Sequence, residues 1–146
     1  MYGRMSTTAD ERLATALRAA GHRVTSQRLV LYRVLRELGR HAHAEEIARV
    51  SSERLPGLSL PTVYATLELF EGLGLVRRVD AGGPAALFDP RTDPHAHFAC
   101  RGCGTVSDLD AAVDASAVQL AARASGAEPD HVEVVLRGLC AACRAG

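Results

Sequence analysis

The amino-acid sequence predicts an α+β fold, with a helical first module and a small second module that carries all four cysteines. In the first half, apolar residues recur at helical spacing, and short strand-like runs appear only after it. The charge also changes sign: residues 1–80 hold 12 Arg against 9 acidic residues, and residues 81–146 hold 5 Arg against 8. Such a shift suggests modules with different partners. We therefore predict two domains, residues 1–83 and residues 84–146.

The overall composition is that of a globular protein: of 146 residues, 47% are hydrophobic and 23% are charged. No apolar run approaches the roughly 18 residues that a membrane span needs, so we expect no membrane association. No basic stretch followed by an apolar core stands at the N-terminus, so we expect a cytoplasmic protein. The formal net charge is zero, which argues against a uniformly basic nucleic-acid binder.

Four helices are predicted in the first module. The first covers about residues 10–20, after an N-terminal stretch that we expect to fray, and the third covers about residues 44–54. Thr25 and Ser59 are good N-caps for the second and fourth helices. Pro61 falls in the first turn of the fourth helix, where its missing N–H is harmless.

Two short strands, residues 75–79 and 86–88, follow across the Gly- and Pro-containing turn at residues 81–84. Helices followed by such a hairpin are typical of a winged helix-turn-helix, and a generic helical bundle is the alternative. The second module is predicted to contain one helix, over about residues 110–124. Its predicted strands cover residues 98–100, 105–107 and 131–136.

The cysteines form two Cys-x2-Cys motifs, Cys100 with Cys103 and Cys140 with Cys143. Each motif offers two thiolates to one ion, and two motifs complete the tetrahedron that structural Zn²⁺ prefers. In a module with few large apolar side chains, the free energy of zinc binding would become folding free energy. Two disulfides and a thiol redox switch are the alternatives that the spacing leaves open.

A second candidate site combines imidazoles with carboxylates. His95 and His97 point to the same side of an extended segment, because side chains repeat every two residues. Asp89 and Asp93 lie upstream, and Asp108 follows the first Cys motif. These ligand types suit Fe²⁺, Mn²⁺, Ni²⁺ or Zn²⁺ without ranking them. The alternative is a surface His pair without function.

Together these motifs resemble the ferric uptake regulator (Fur) family of bacterial metal-dependent repressors, over nearly the whole chain. The resemblance rests on the order and spacing of residues 23–28 (RVTSQR), 60–67 (LPTVYATL), 95–97 (HAH) and 100–104 (CRGCG). It implies an N-terminal winged helix that binds DNA and a small C-terminal α/β domain that dimerises. It also implies a structural zinc on the four cysteines and a regulatory metal site between the domains.

Carried over by position, the resemblance implies five ligands for a regulatory Fe²⁺ or Mn²⁺: His41, Asp89, His95, His97 and Asp108. His41 is chosen over His43 because it lies six residues before Ile47, as in the family pattern. Asp at positions 89 and 108, where many iron-uptake members carry Glu, resembles the peroxide-responsive (PerR-type) branch. In that branch the Fe²⁺ form reacts with hydrogen peroxide, a ligand His is oxidised, and the protein leaves DNA.

The fourth helix is the predicted reader of the major groove, and several Arg residues are predicted to hold phosphates. The predicted DNA-binding residues are Arg18, Arg23, Arg28, Ser59, Thr62, Tyr64, Thr66, Arg77 and Arg78. A two-fold homodimer would require an inverted-repeat operator on double-stranded DNA.

The sequence thus predicts a metal-dependent DNA-binding repressor that senses peroxide and is not an enzyme. Within the family, the alternative is a repressor responsive to iron, nickel, manganese or zinc. A small metal-dependent hydrolase is the alternative from another class, although no obvious Glu general base lies beside the His pair. A structural zinc-ribbon adaptor is a further alternative, and it would lack sequence-specific DNA binding.

Overall fold

The computed structural model describes residues 3–80, 82 and 85–146, with side chains from residue 8 onward. These residues form two compact units. The first contains residues 3–80 and 85–92, and the second contains residue 82 and residues 93–146. Most of the predicted turn at 81–84 lies outside the described residues. The functional division into 1–83 and 84–146 stays a prediction.

The first unit contains four helices and a three-stranded sheet. The helices are α1 (Gly3–Ala19), α2 (Ser26–Leu38), α3 (Ala44–Ser52) and α4 (Leu60–Gly72). The strands are β1 (Ala42–His43), β2 (Arg77–Val79) and β3 (Leu87–Asp89), in the order β1-β3-β2. Four helices and this small sheet confirm the predicted winged helix-turn-helix.

Local sequence signals predicted two helix starts correctly. The hydroxyl of Thr25 accepts from the backbone N–H of Arg28, and the hydroxyl of Ser59 accepts from that of Thr62, each at 3.3 Å. Fraying was expected over residues 1 to about 8; residues 1 and 2 lie outside the described residues, and from Gly3 onward the chain is instead helical in α1. Arg33 of α2 donates to Asp10 at 2.9 Å, and this contact across 23 residues anchors the early turns of α1.

The core of the first unit is built by leucines of α1, α2 and α4 and by Ile47 of α3, around two aromatic rings. Tyr32 of α2 and Phe70 of α4 meet edge to face, with ring centroids 5.7 Å apart. Leu13 and Leu17 of α1 are fully buried against them in the same cluster. This core fixes α4, and the residues that the structure describes in it all belong to the first unit.

The second unit contains a second three-stranded sheet and two helices. The strands are β4 (Ala96–Cys100), β5 (Val106–Leu109) and β6 (Val135–Gly138), and the helices are α5 (Ser116–Ala124) and α6 (Ala141–Ala145). The sheet order is β5-β4-β6. The central strand β4 pairs antiparallel with β5 and parallel with β6. The parallel pairing and α6 were not predicted.

Helix α5 is six residues shorter at its start than predicted, because Asp114 competes for the backbone. Its carboxylate accepts from the backbone N–H of Ser116 at 3.0 Å, and such a side-chain turn begins a helix rather than continuing one. None of the helices in the described part of the chain combines the length and apolar character needed to cross a membrane.

The second unit has little apolar core. Within the described part, its buried apolar residues are Ala96, Ala99 and Cys100, all in β4. Val118 and Leu120 of α5 are 67% and 64% exposed, and Leu136 of β6 is 53% exposed. A unit that exposes its large apolar side chains needs another source of stability, such as a metal ion or a partner surface.

A buried hydroxyl in the first unit offers a stability test. Ser51 of α3 is fully buried, and its Oγ has no hydrogen-bond partner among the described residues. Leaving a buried hydroxyl unsatisfied costs about 1–3 kcal/mol, and alanine is also the better helix former. We expect Ser51→Ala to raise the free energy of unfolding by about 1 kcal/mol in urea denaturation. A decrease would mean that the hydroxyl is satisfied in solution.

Candidate metal centres

The four cysteines converge at one end of the second sheet. Cys100 ends β4, Cys103 follows in the turn towards β5, and Cys140 and Cys143 flank the start of α6. Their four Sγ atoms all lie within 4.8 Å of one another, and the Sγ atoms of Cys103 and Cys140 are 3.9 Å apart. A tetrahedral Zn²⁺ with bonds of about 2.3 Å has sulfur–sulfur edges of about 3.8 Å. The spacing therefore fits a Zn(Cys)₄ site.

Backbone amides prepare one of these thiols for a metal ion. The backbone N–H groups of Cys140 and Gly102 donate to Cys100 Sγ at 3.3 and 3.4 Å, and hydrogen bonds led by that of Cys140 lower the pKa of Cys100 to about 6. The neighbouring thiols, Cys140 first, raise the pKa of Cys143 to about 12. A cation bound among the four sulfurs would stabilise all of them as thiolates, so the donor set is suited to Zn²⁺.

Gly102 is needed for the close approach of the two Cys motifs, and sequence reasoning assigned it no role. A Cβ at this position would lie 3.0 Å from Cys143 Sγ and 3.2 Å from Leu139 Cδ2. A larger residue would therefore push the second motif away from the first. The only sequence signal was its place inside the first Cys-x2-Cys motif.

In the second unit, two imidazoles and a carboxylate converge. His95 and His97 lie on the same side of the chain, with ring centroids 4.5 Å apart, as the sequence predicted. His97 is opposite Asp108 in the β4–β5 register. Asp108 Oδ1 is 3.2 Å from His95 Nε2 and 3.4 Å from His97 Nε2. Each separation is short enough for one ion, with bonds of about 2.0–2.2 Å, to contact both atoms of the pair.

The backbone selects the tautomer of His95. Its Nδ1 lies 2.7 Å from the carbonyl oxygen of Asp93, which only accepts hydrogen bonds. Nδ1 therefore donates its proton to that carbonyl, which leaves Nε2 as the ring atom that could bind a metal ion. Both imidazoles are buried, at 8% and 3% exposure. Sequence reasoning missed the role of Asp93, because a backbone carbonyl leaves no signal in residue type.

In the first unit, a third imidazole lies beside a second carboxylate. The register pairs Ala42 of β1 with Phe88 of β3, so His41 lies opposite Asp89. Their Nδ1 and Oδ2 atoms are 3.9 Å apart, and both residues are buried. The backbone N–H of Arg91 also donates to Asp89 Oδ1 at 2.9 Å. Two of the five predicted regulatory ligands thus meet in the first unit, and the other three meet in the second.

Comparisons with known proteins bear on this arrangement. The chain matches the Ferric uptake regulator family over residues 19–137. Ferric uptake regulation protein 1 of Mycolicibacterium fortuitum is 38% identical over 122 residues, which are 82% of this chain and 74% of that protein. Peroxide-responsive repressor PerR of Staphylococcus epidermidis is 31% identical over 134 residues, 92% of this chain and 89% of that protein. The chain belongs to the ferric uptake regulator family.

A solved structure agrees with this assignment. The ferric uptake regulator of Pseudomonas aeruginosa with manganese is 29% identical, has a TM-score of 0.67, and is matched over 88% of this chain and 98% of that chain. As a Fur-family protein, this chain is a metal-responsive transcriptional repressor. The relatives are transcription regulators rather than enzymes, which supports the predicted non-enzymatic role.

The predicted DNA-reading helix of this repressor, α4, does not present all of its predicted contact residues. Ser59 is exposed at the N-cap, and its hydroxyl lies 2.8 Å from that of Thr62. Tyr64 is half-buried. Thr66 is only 8% exposed, and its hydroxyl donates to the carbonyl of Thr62 at 2.8 Å. Thr66 therefore stabilises α4 from inside, which its position in the sequence did not reveal.

The predicted phosphate-binding arginines of the repressor are distributed over α1, the segment after it, α2 and β2. Arg18 and Arg23 are exposed at and after the end of α1, and Arg28 is half-buried in α2. Arg77 and Arg78 are in β2. The Arg78 guanidinium is 5.9 Å from the centre of the Phe88 ring, which holds this charge against the sheet.

Proposed function

We propose that this chain is a cytoplasmic, metal-dependent repressor that binds an inverted-repeat operator as a homodimer and senses hydrogen peroxide. The observation that carries the proposal is the ligand set of three His and two Asp. The five side chains would hold one regulatory Fe²⁺ or Mn²⁺, apart from the zinc on the cysteines. Related proteins include a peroxide-responsive repressor, and a related structure was solved with manganese.

The two groups of ligands belong to the two units, and a short segment connects them. Asp89 and His95 are six residues apart. Fully extended, the chain between them spans at most about 20 Å. An ion bound by both groups would hold the units in one arrangement. If DNA selects that arrangement, metal binding and DNA binding strengthen each other by the same free energy.

The proposed dimer uses the apolar surface of the second unit. Val118 and Leu120 on α5 and Leu136 on β6 are exposed in the single chain, although large apolar side chains favour burial. A two-fold pairing of two such surfaces would present two α4 helices to successive major grooves. The operator is then expected to contain two half-sites with inverted orientation.

The sensing step that we propose consumes a ligand histidine. When bound, Fe²⁺ would supply the electron-transfer chemistry that activates hydrogen peroxide. The imidazole of His41 or His95 gains one oxygen atom and loses two electrons, and the second peroxide oxygen leaves as water. An oxidised ring is a poorer metal ligand. The chain therefore loses the metal-dependent arrangement and then dissociates from the operator.

Mass spectrometry tests the sensing step cleanly in this sequence. Cleavage after arginine yields residues 41–49, a peptide that contains His41 and His43 but no Cys or Met. It also yields residues 92–101, which contain His95 and His97. After peroxide treatment of the Fe²⁺ form, we expect one added oxygen on His41 or His95. Fragment ions distinguish each from its neighbouring His, and the Mn²⁺ form is the unmodified control.

Iron sensing without peroxide chemistry is the second candidate, since the chain is 38% identical to a ferric uptake regulation protein. It predicts that Fe²⁺ activates operator binding and that both peptides stay unmodified after peroxide. That result would exclude peroxide sensing and keep the metal-dependent repressor.

A phosphate contact on β2 can be tested through salt dependence. We expect Arg78→Ala to weaken binding to all duplex sequences by a similar factor, because phosphate contacts carry no base information. The slope of log affinity against log salt should become shallower by about 1. The control is Arg123→Ala, which removes the same charge from an exposed position on α5. A loss confined to the operator would contradict the phosphate role.

A further inference from the structure

A hydrogen bond joins α3 to the proposed DNA-reading helix. Glu45 is in the first turn of α3 and is exposed, and Tyr64 is in α4 and half-buried. Tyr64 Oη lies 3.2 Å from Glu45 Oε1. An ionised carboxylate only accepts hydrogen bonds, so the phenol must be the donor. The contact therefore fixes the direction of the one proton that this hydroxyl carries.

This direction limits what the hydroxyl can still bind. With its proton given to Glu45, Oη has only lone pairs to offer. In the major groove, the groups that donate to a lone pair are the amino groups of adenine (N6) and cytosine (N4). Guanine O6 and N7, thymine O4 and phosphate oxygens accept only. Phosphate is disfavoured further, because the Glu45 carboxylate repels it.

We propose that Glu45 sets the base preference of Tyr64, so that its hydroxyl accepts from an adenine or cytosine amino group in the major groove. This inference rests on the proposed DNA binding by α4. Glu45 acts through Tyr64 and is a positioning residue. Without it, the hydroxyl would be free to donate to phosphates and base acceptors, and the preference would disappear.

The electrostatics of Tyr64 agree with a committed proton. Burial first, and then the hydrogen bond to Glu45, raise the pKa of Tyr64, so the phenol stays protonated at neutral pH. The charge of Arg78 acts on the same group in the opposite direction. Glu46, the next residue, forms an ion pair with Arg40 rather than with Tyr64, and Arg40 Nη1 donates to Glu46 Oε2 at 3.2 Å. It provides a control with the same charge in the same turn.

The test uses full-length, Zn²⁺- and Mn²⁺-loaded protein and a duplex selected by that protein from a random library. Each adenine is replaced in turn by purine, and each cytosine by pyrimidin-2-one, which removes one amino group at a time. For the unaltered protein, we expect the replacement at one position in each half-site to lower the affinity for the duplex about fivefold to tenfold. Glu45→Gln should reduce that loss below about twofold, because an amide also donates and frees the phenol proton.

Two variants and one spectroscopic measurement complete the test. Tyr64→Phe should show no loss at that position, whereas Glu46→Gln should keep it in full. In DNA-free protein, the tyrosinate absorbance attributed to Tyr64, by difference from Tyr64→Phe, should titrate at lower pH in Glu45→Gln. If the Glu45→Gln variant still loses affinity in full when that amino group is removed, the inference is overturned. The proposed DNA binding by α4 would then still stand. If the unaltered protein selects no sequence with Mn²⁺, the proposed function itself fails.

Discussion

Removing the zinc, or replacing Cys143 by alanine, is expected to unfold the second unit and leave the first unit folded. Zinc bound by four thiolates provides about 10–16 kcal/mol, which is comparable to the whole stability of a small domain. The second unit cannot replace this contribution, because the buried apolar residues in its described part are confined to β4. The first unit keeps its own core of leucines around Tyr32 and Phe70.

Amide hydrogen exchange measures the two units separately. We expect β4 and β6 to lose protection in the Cys143→Ala variant and after treatment with a strong chelator, while α2 and α4 keep it. Ser107→Ala, at an exposed position on β5, is the matched control and should keep full protection and one zinc per chain. Zinc-free protein that still protects β4 would show that disulfides or apolar packing hold this unit.

Replacing His95 by alanine is expected to abolish metal-dependent operator binding without unfolding the protein. His95 Nε2 lies 3.2 Å from Asp108 Oδ1, and the Asp93 carbonyl holds the ring in that orientation through Nδ1. Loss of a partner that only orients a ligand weakens metal binding about 10–100-fold, so loss of the ligand itself should cost about 100-fold or more. Because the two binding events are linked, the gain in operator affinity that the metal provides is lost together with the metal affinity.

The measurement is a titration of operator DNA at fixed Mn²⁺, with zinc content and dimer mass determined in parallel. We expect His95→Ala to keep its zinc and its dimer, and to bind DNA equally weakly with and without Mn²⁺. His22→Ala is the control, because His22 is exposed in the turn after α1. Mn²⁺-dependent binding that survives in His95→Ala would remove this residue from the regulatory site.

Features that depend on neighbours along the chain were predictable. The caps Thr25 and Ser59 act on backbone groups three residues away, and both helices begin where the sequence predicts. The side-by-side placement of His95 and His97 follows from the two-residue repeat of extended backbone. The Cys-x2-Cys spacing predicted which sulfurs would meet, because each motif is a single tight turn.

Features that depend on distant contacts were not predictable. Strand β1 is two residues long, and it exists because β3, more than 40 residues later, pairs with it. That pairing brings His41 beside Asp89, which the family resemblance implied but residue spacing did not. The parallel pairing of β6 with β4 and the hydrogen bond from Tyr64 to Glu45 likewise join segments that local patterns cannot relate.

The sequence alone therefore determined that the first unit has four helices, the class of fold, the candidate zinc-binding cysteines and the chemical types of the proposed regulatory ligands. Periodicity, capping and ligand spacing act over a few residues, so they are encoded locally. Only the tertiary structure decided the ring orientation of His95, the internal position of Thr66 and the direction of the Tyr64 proton. Each of these depends on a hydrogen-bond partner fixed by folding, and residue type does not specify the partner.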